Sequence, residues 1–271
     1  MTMAKRVYFG KELFQFLAEL AMNNDRTWFN ANKERYERDV KQPLLAFIED
    51  FQGPLRKISP HFVADPRPVG GSMFRIYRDT RFAKDKTPYK THAAAHFRHD
   101  ATGDVHTPGF YLHLEPMNVM CGTGIWQPDG PTLLRIREAI AAKPEVWKKA
   151  ISGRAFKAAH SFWGESVSRS PKGFDPNHPF IEDLKRKDFV TTVEFGMGDA
   201  CSDEFMEQYA AACRTASPFM EFLTKAVGLA WQKNTLPAGC GFTPTPFGRL
   251  VGPKVLPPQG GGGPNGYPLF G

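Results

Sequence analysis

The chain has 271 residues, 41% hydrophobic and 13% aromatic, and its 35 Lys+Arg outweigh 28 Asp+Glu to give a formal charge of +7. That apolar content builds a full-sized core and excludes a disordered chain, while the positive balance favours acidic partners such as phosphates, nucleic acid or anionic surfaces. Cys121, Cys201, Cys213 and Cys240 lack C-x-x-C spacing and have no histidine at zinc-finger intervals, which argues against a structural zinc or a disulfide framework.

Leu13, Phe16, Leu17 and Leu20 recur at helical spacing. Asn23-Asn24 ends that helix, and Asp25 is placed to cap a second one carrying Trp28, Phe29, Tyr36 and Val40. Pro43 predicts a break or kink near Lys41, after which Leu44, Leu45, Phe47, Ile48 and Phe51 resume the apolar pattern. From Met73 the period becomes alternating, with Phe74 and Ile76 expected to face the core. Thr91 to Arg98 sets Ala93, Ala95 and Phe97 against His92, His96 and Arg98; Gly109 to Glu115 sets Phe110, Leu112 and Leu114 against Tyr111, His113 and Glu115. Val119 to Ile125 and Asp188 to Phe195 read as further strands, and Thr132 to Ala142, the stretch after Pro144, and Glu204 to Val227 as helices.

This pattern predicts an α+β fold: an antiparallel sheet covered by helices on one face, with a helical N-terminal third and a long C-terminal helix. We expect a flexible N-terminus over residues 1–8, a single domain over 9–230, and a flexible Pro/Gly-rich tail over 231–271 that includes Gly260 to Gly263. No apolar run approaches the about 20 residues needed to cross a bilayer. The basic first residues lead into an amphipathic stretch rather than an apolar leader, so a cytoplasmic protein without membrane association is expected. Oligomeric state is not encoded in any feature of the chain.

The densest chemistry lies between Arg75 and Lys90. Arg75, Arg78, Arg81, Lys84, Lys86 and Lys90 stand against Asp79 and Asp85, a net +4 in sixteen residues. Arginine supplies bidentate donors to phosphate, and Tyr77, Phe82 and Tyr89 supply faces for stacking, so the segment is a candidate site for a phosphate-bearing ligand or nucleic acid, with Tyr89 among its binding residues. In the alternative, structural reading, Asp79 and Asp85 form ion pairs that hold the loop in shape, as in an interaction or scaffold domain. A third reading is an enzyme acting on a phosphorylated substrate, with His113 and Glu115 as an acid-base pair beside the cationic loop. Asn24, Arg26 and Asn32 are candidates to face the same cleft, with Trp28, Phe29 and Tyr36 chiefly core residues.

His92, His96, His113 and Glu115 also invite a metal reading. Residues four apart on a strand are separated by about 13 Å, so a shared ion needs His92 or His96 to meet His113 across strands. We expect solvated imidazoles there, no metal and no cofactor. Gly122-x-Gly124 lacks the third glycine and following helix of a dinucleotide site, and no Walker A or G-x-S-x-G motif is present.

The run R-x-x-R-D-x-R-F-x-K-D-K-x-P-Y-K from Arg75 to Lys90 follows N-N-D-R-x-W-F at Asn23 to Phe29. With G-F-Y-L-H-L-E-P at Gly109 to Pro116, G-x-G-x-W at Gly122 to Trp126 and P-K-G-F-D-P-N-H-P at Pro171 to Pro179, it resembles the family called domain of unknown function 2461. The resemblance covers about Phe9 to Gly228 and implies a family identity without an activity or catalytic residues.

Overall fold

The computed structural model describes residues 5–102 and 106–232. The expected tail therefore lies outside the described residues except for Trp231 and Gln232, and the same holds for residues 1–4 of the expected N-terminal arm.

The N-terminal third is helical as its periodicity predicts. Helix α1 (Lys11–Met22) buries Leu13, Phe14, Phe16, Leu17 and Leu20. Asp25 caps α2 (Arg26–Ala31), its carboxylate accepting from the Thr27 and Trp28 N–H groups at 2.8 and 2.9 Å. A single turn, α3 (Lys33–Arg35), runs into a π-helical segment (Tyr36–Lys41) and then α4 (Gln42–Ile58). Pro43 sits in the first turn of α4, where its missing N–H is least costly, and the irregularity falls on the residues just before it.

The strands β1 (Phe62–Val63), β2 (Ala93–His99), β3 (Gly109–Glu115) and β4 (Asn118–Ile125) follow. The chain then crosses α5 (Gly130–Ala142), α6 (Pro144–Ile151) and α7 (Arg154–Ala159) before β5 (Ser161–Trp163), α8 (Ile181–Leu184) and β6 (Phe189–Phe195). A last turn, α9 (Met197–Ala200), leads to α10 (Phe205–Thr215) and α11 (Ser217–Ala226). These two form the long C-terminal helical run. It breaks at Ala216 because Pro218, in the first turn of α11, has no N–H to continue the ladder.

All six strands form one antiparallel sheet in the order β1-β2-β3-β4-β6-β5. One face carries Ala93, Ala95, Phe97, Phe110, Leu112, Leu114, Val119 and Cys121, buried with the apolar sides of α1, α4, α10 and α11 in a single core. The other carries a smaller cluster of Ala94, Tyr111, Met120 and Val190, against which Phe74 and Trp126 pack. Phe74 therefore sits opposite the expected face while Ile76 joins the main core. The segment from Met73 is not a regular strand: Met73 makes only an isolated bridge to Ala95, so strict alternation does not carry through to Ile76. Gly109 admits close packing on this second face, since a Cβ there would collide with the His96 imidazole.

Candidate functional site

The cationic segment is an arch with a paired base. The Arg78 N–H donates to the Pro88 carbonyl at 2.9 Å and the Lys90 N–H to the Ile76 carbonyl at 2.8 Å, with Tyr77 bridged to Tyr89. Asn24 braces this base from the turn before α2. Its Nδ2 donates to the Tyr89 carbonyl at 2.9 Å and its Oδ1 accepts from the Tyr89 N–H at 3.0 Å. Above that brace the Phe29 and Tyr89 rings stack at 4.0 Å.

The six cations meet different fates. Arg78 donates to Asp85 at 2.5 Å and to the Thr87 hydroxyl. Arg81 pairs with Asp79 at 2.6 Å, and the Lys86 ammonium donates to the Thr80 carbonyl at 2.8 Å. Side-chain hydrogen bonds from Arg81 and Arg78 hold the Asp79 and Asp85 carboxyls down at about 2. Arg75 and Lys84 are exposed and form no ion pair among the described residues. Lys90 turns inward, its ammonium 5.0 Å above the Phe74 ring. Burial first, and then the nearby charges of Arg75 and Arg78, lower it to about 8.

A cleft of about 280 Å³ opens between this arch and α2, lined by Arg26, Asn30, Tyr77, Arg78, Thr80, Pro88 and Tyr89. Of the residues expected to bind anions, Arg78 and Tyr89 reach it; Arg75, Arg81, Lys84, Lys86 and Lys90 are not among its lining. Arg26 lines it too, whereas Asn24 is occupied with the Tyr89 backbone and Asn32 with the Trp28 carbonyl and the Arg35 guanidinium. Asn30 is an addition. It stands four residues after Arg26, hence on the same side of α2, a spacing that marks it in retrospect.

The polar face of the sheet is not the solvated surface its residue types suggest. Only 2% of His96, 1% of Tyr111 and 3% of His113 is exposed. Tyr111, His113 and Glu115 alternate on β3 and form a chain: the Tyr111 hydroxyl lies 3.0 Å from His113 Nδ1, and His113 Nε2 lies 3.3 Å from Glu115 Oε2. Thr91 donates to the other Glu115 oxygen at 3.1 Å. With Glu115 ionised as final acceptor, a neutral His113 protonated on Nε2 satisfies every bond in the chain. The His113 bond is the largest influence lowering the Glu115 carboxyl, and burial pushes the Tyr111 hydroxyl up. His92 does meet His113 across the strands, but as stacked rings with centroids 4.5 Å apart, which presents π faces rather than converging lone pairs. Burial holds His92 and His96 neutral by lowering both to about 3; for His92, His113 and Lys90 add to the effect.

A family model described as a conserved hypothetical protein (DUF2461) matches residues 12–222. The chain belongs to the DUF2461 family. No curated protein matches it. The matched region of this DUF2461 chain contains both the arch and the whole polar face, while Lys5 to Lys11 and Leu223 to Gln232 flank it. No helix among the described residues is long and apolar enough to cross a membrane.

Proposed function

We propose that the cleft between α2 and the Arg75–Lys90 arch binds a phosphate-bearing or otherwise anionic ligand, nucleic acid included, in a cytoplasmic protein whose domain spans residues 9–230. The observation that carries this reading is that two arginines from separate elements, Arg26 and Arg78, line one cleft together with Tyr77 and Tyr89. Paired guanidiniums suit phosphate oxygens, and adjacent aromatic faces suit a base or sugar. At about 280 Å³ the cleft lies at the lower end of ligand pockets, which are about 300–1,000 Å³. That size suits a phosphoryl group with a small substituent, or one nucleotide of a strand. The pairs Arg81–Asp79 and Arg78–Asp85 shape the arch, and an anion that engages Arg78 shares its guanidinium with Asp85.

The test is calorimetric titration with inorganic pyrophosphate, a mononucleotide and a short single-stranded oligonucleotide at two salt concentrations. Binding that weakens with salt, and weakens further in Arg26→Ala and Arg78→Ala, is expected. Unchanged affinity in both variants removes the reading. Affinity for the oligonucleotide alone assigns the ligand to nucleic acid.

A second reading, an acid-base enzyme on a phosphorylated substrate, is favoured by the Tyr111–His113–Glu115 chain. In it His113 and Glu115 are the acid-base pair, and because both ring nitrogens are engaged the proton passes to substrate through the Tyr111 hydroxyl or the Glu115 carboxylate. Turnover of a phosphoester that His113→Ala abolishes and Glu115→Gln slows supports it; no turnover across a phosphoester panel counts against it.

A further inference from the structure

At the far end of β2 from His92, a separate cluster joins His61, His99 and Asp100. His99 continues the parity of Ala93, Ala95 and Phe97, and so stands where the strand otherwise buries apolar side chains; it is 2% exposed. One ligand atom from each of the three residues lies within 4.8 Å of the other two. The Asp100 carboxylate sits between the rings, Oδ1 at 3.2 Å from His99 Nδ1 and Oδ2 at 3.3 Å from His61 Nδ1.

The protonation pattern of His99 is fixed from behind. Its Nε2 lies 2.8 Å from the Ala230 carbonyl, which can only accept, so Nε2 carries the proton. Its Nδ1 accepts from the Ala101 N–H at 3.1 Å and is therefore a bare lone pair. The Asp100 Oδ1 lies 3.2 Å from the same nitrogen, so a cation held there has an imidazole nitrogen and a carboxylate oxygen within reach.

We propose that His61, His99 and Asp100 form a binding site for a divalent first-row transition ion of the zinc class, with one coordination position open to solvent. The distances match the chemistry. Bonds of about 2.0–2.1 Å to imidazole nitrogen and about 2.0–2.2 Å to carboxylate oxygen place neighbouring donors about 3.3–3.5 Å apart at the tetrahedral angle. The two imidazole-to-carboxylate separations, 3.2 Å to Oδ1 and 3.3 Å to Oδ2, are near that edge, and with all three donors within 4.8 Å of one another a small rotation of the exposed Asp100 and the partly exposed His61 closes the set. A backbone carbonyl holding the distal N–H of a ligating histidine is the usual outer-shell support, and Ala230 supplies it for His99. His61 Nδ1 is held by Asp100 at 3.3 Å while its Nε2 is buried with no hydrogen-bond partner, and because its ring lies near-parallel to that of His99 at 5.2 Å it turns on binding for both nitrogens to face one ion. Two imidazoles and a carboxylate select zinc or cobalt over magnesium or calcium, which take oxygen donors. An ion bound at His99 Nδ1 displaces the Ala101 N–H contact, the one local bond that must yield. With three protein donors the fourth position is left for water, on the side where 47% of the Asp100 side chain is exposed.

The full chain, treated with EDTA and then titrated with Zn²⁺ against a chromophoric chelator, is expected to take up one ion per chain at high affinity. The eight histidines of the sequence make weak adventitious binding a competing source, so the variants decide. Asp100→Asn and His61→Gln, both at partly exposed positions, are expected to lose more than the about 10–100-fold that removal of an outer-shell partner costs. Zn²⁺ is expected to raise the melting temperature of the wild-type chain and not that of the double variant. Absence of stoichiometric binding, or equal affinity in the variants, overturns the proposal. Should the variants misfold, pulsed electron paramagnetic resonance of the Cu²⁺-loaded wild-type chain counts its coordinated imidazoles: two support the site, none or one overturns it.

Discussion

The two faces of the sheet solve burial in different ways. On the helix-covered face, Phe97 packs between Phe51 and Tyr209 with ring centroids 4.7 and 6.2 Å away, and stability comes from area removed from water. On the opposite face, Tyr111, His113 and His96 are just as inaccessible, yet polar, and the Tyr111–His113–Glu115 chain is held by hydrogen bonds that burial makes costly to break. A face built from hydrogen-bonding groups retains chemistry that an apolar face cannot, and the base of the arch abuts this side, with Lys90 over the ring of Phe74, which precedes the arch.

The sharpest way to separate the faces is by truncation. Phe97→Ala is expected to cost about 3–5 kcal/mol, measured by urea denaturation, because it opens a cavity among aromatic rings. On the polar face, Gly109→Ala forces a methyl into the His96 ring and is expected to cost about 1–3 kcal/mol by overpacking. His113→Ala strips the Tyr111 hydroxyl and Glu115 of their partner, with a similar expected cost of about 1–3 kcal/mol. A solvated face would respond to His113→Ala by no more than about 0.5 kcal/mol, which would erase the contrast.

A pH titration sharpens it further. His92 and His96 are held at about 3 in the fold against the ordinary 6.5, so below 6.5 the unfolded chain takes up protons that the folded one refuses. Stability conferred by the polar face is thus expected to fall as pH drops from 6.5 toward 3, and His92→Gln to flatten that slope in denaturation midpoints. Lys90 acts at the other end. Its charge is lost as pH rises through about 8, and any affinity for anions to which it contributes falls there, a loss that Lys90→Met abolishes. The smallest effect is expected at the tip of the arch, where Asp79→Ala leaves the melting temperature unchanged because the Arg81–Asp79 pair is exposed.

Much of the fold was legible because it rests on periodicity and local chemistry. The alternation in β2 and β3 assigns the core face correctly, the Asp25 cap is where its side chain requires, and Pro43 marks where the helix loses regularity, whereas Glu204 to Val227, read as one helix, is divided at Ala216. The strands β1 and β5, two and three residues long, are too short to show a period. Burial of the polar face was illegible for another reason: Phe74 and Trp126, which pack on it, lie just outside the regular strands, where no period assigns a side chain to a face. Register likewise decides which histidines meet. Ala94 stands opposite His113, which brings the neighbouring His92 ring onto it, and no spacing rule contains that. Of the cationic segment the composition was evident and the disposition was not, since half of its charges are consumed by its own carboxylates and carbonyls.

Asn24 carries a consequence for kinetics. One side-chain amide makes both hydrogen bonds that a neighbouring strand would make to Tyr89, so the arch and α2 are joined as a single rigid jaw. For the ligand we propose, such a cleft has no wall to order, so its arrival would be governed by diffusion and orientation, and differences among anions would be expressed in how long each one stays.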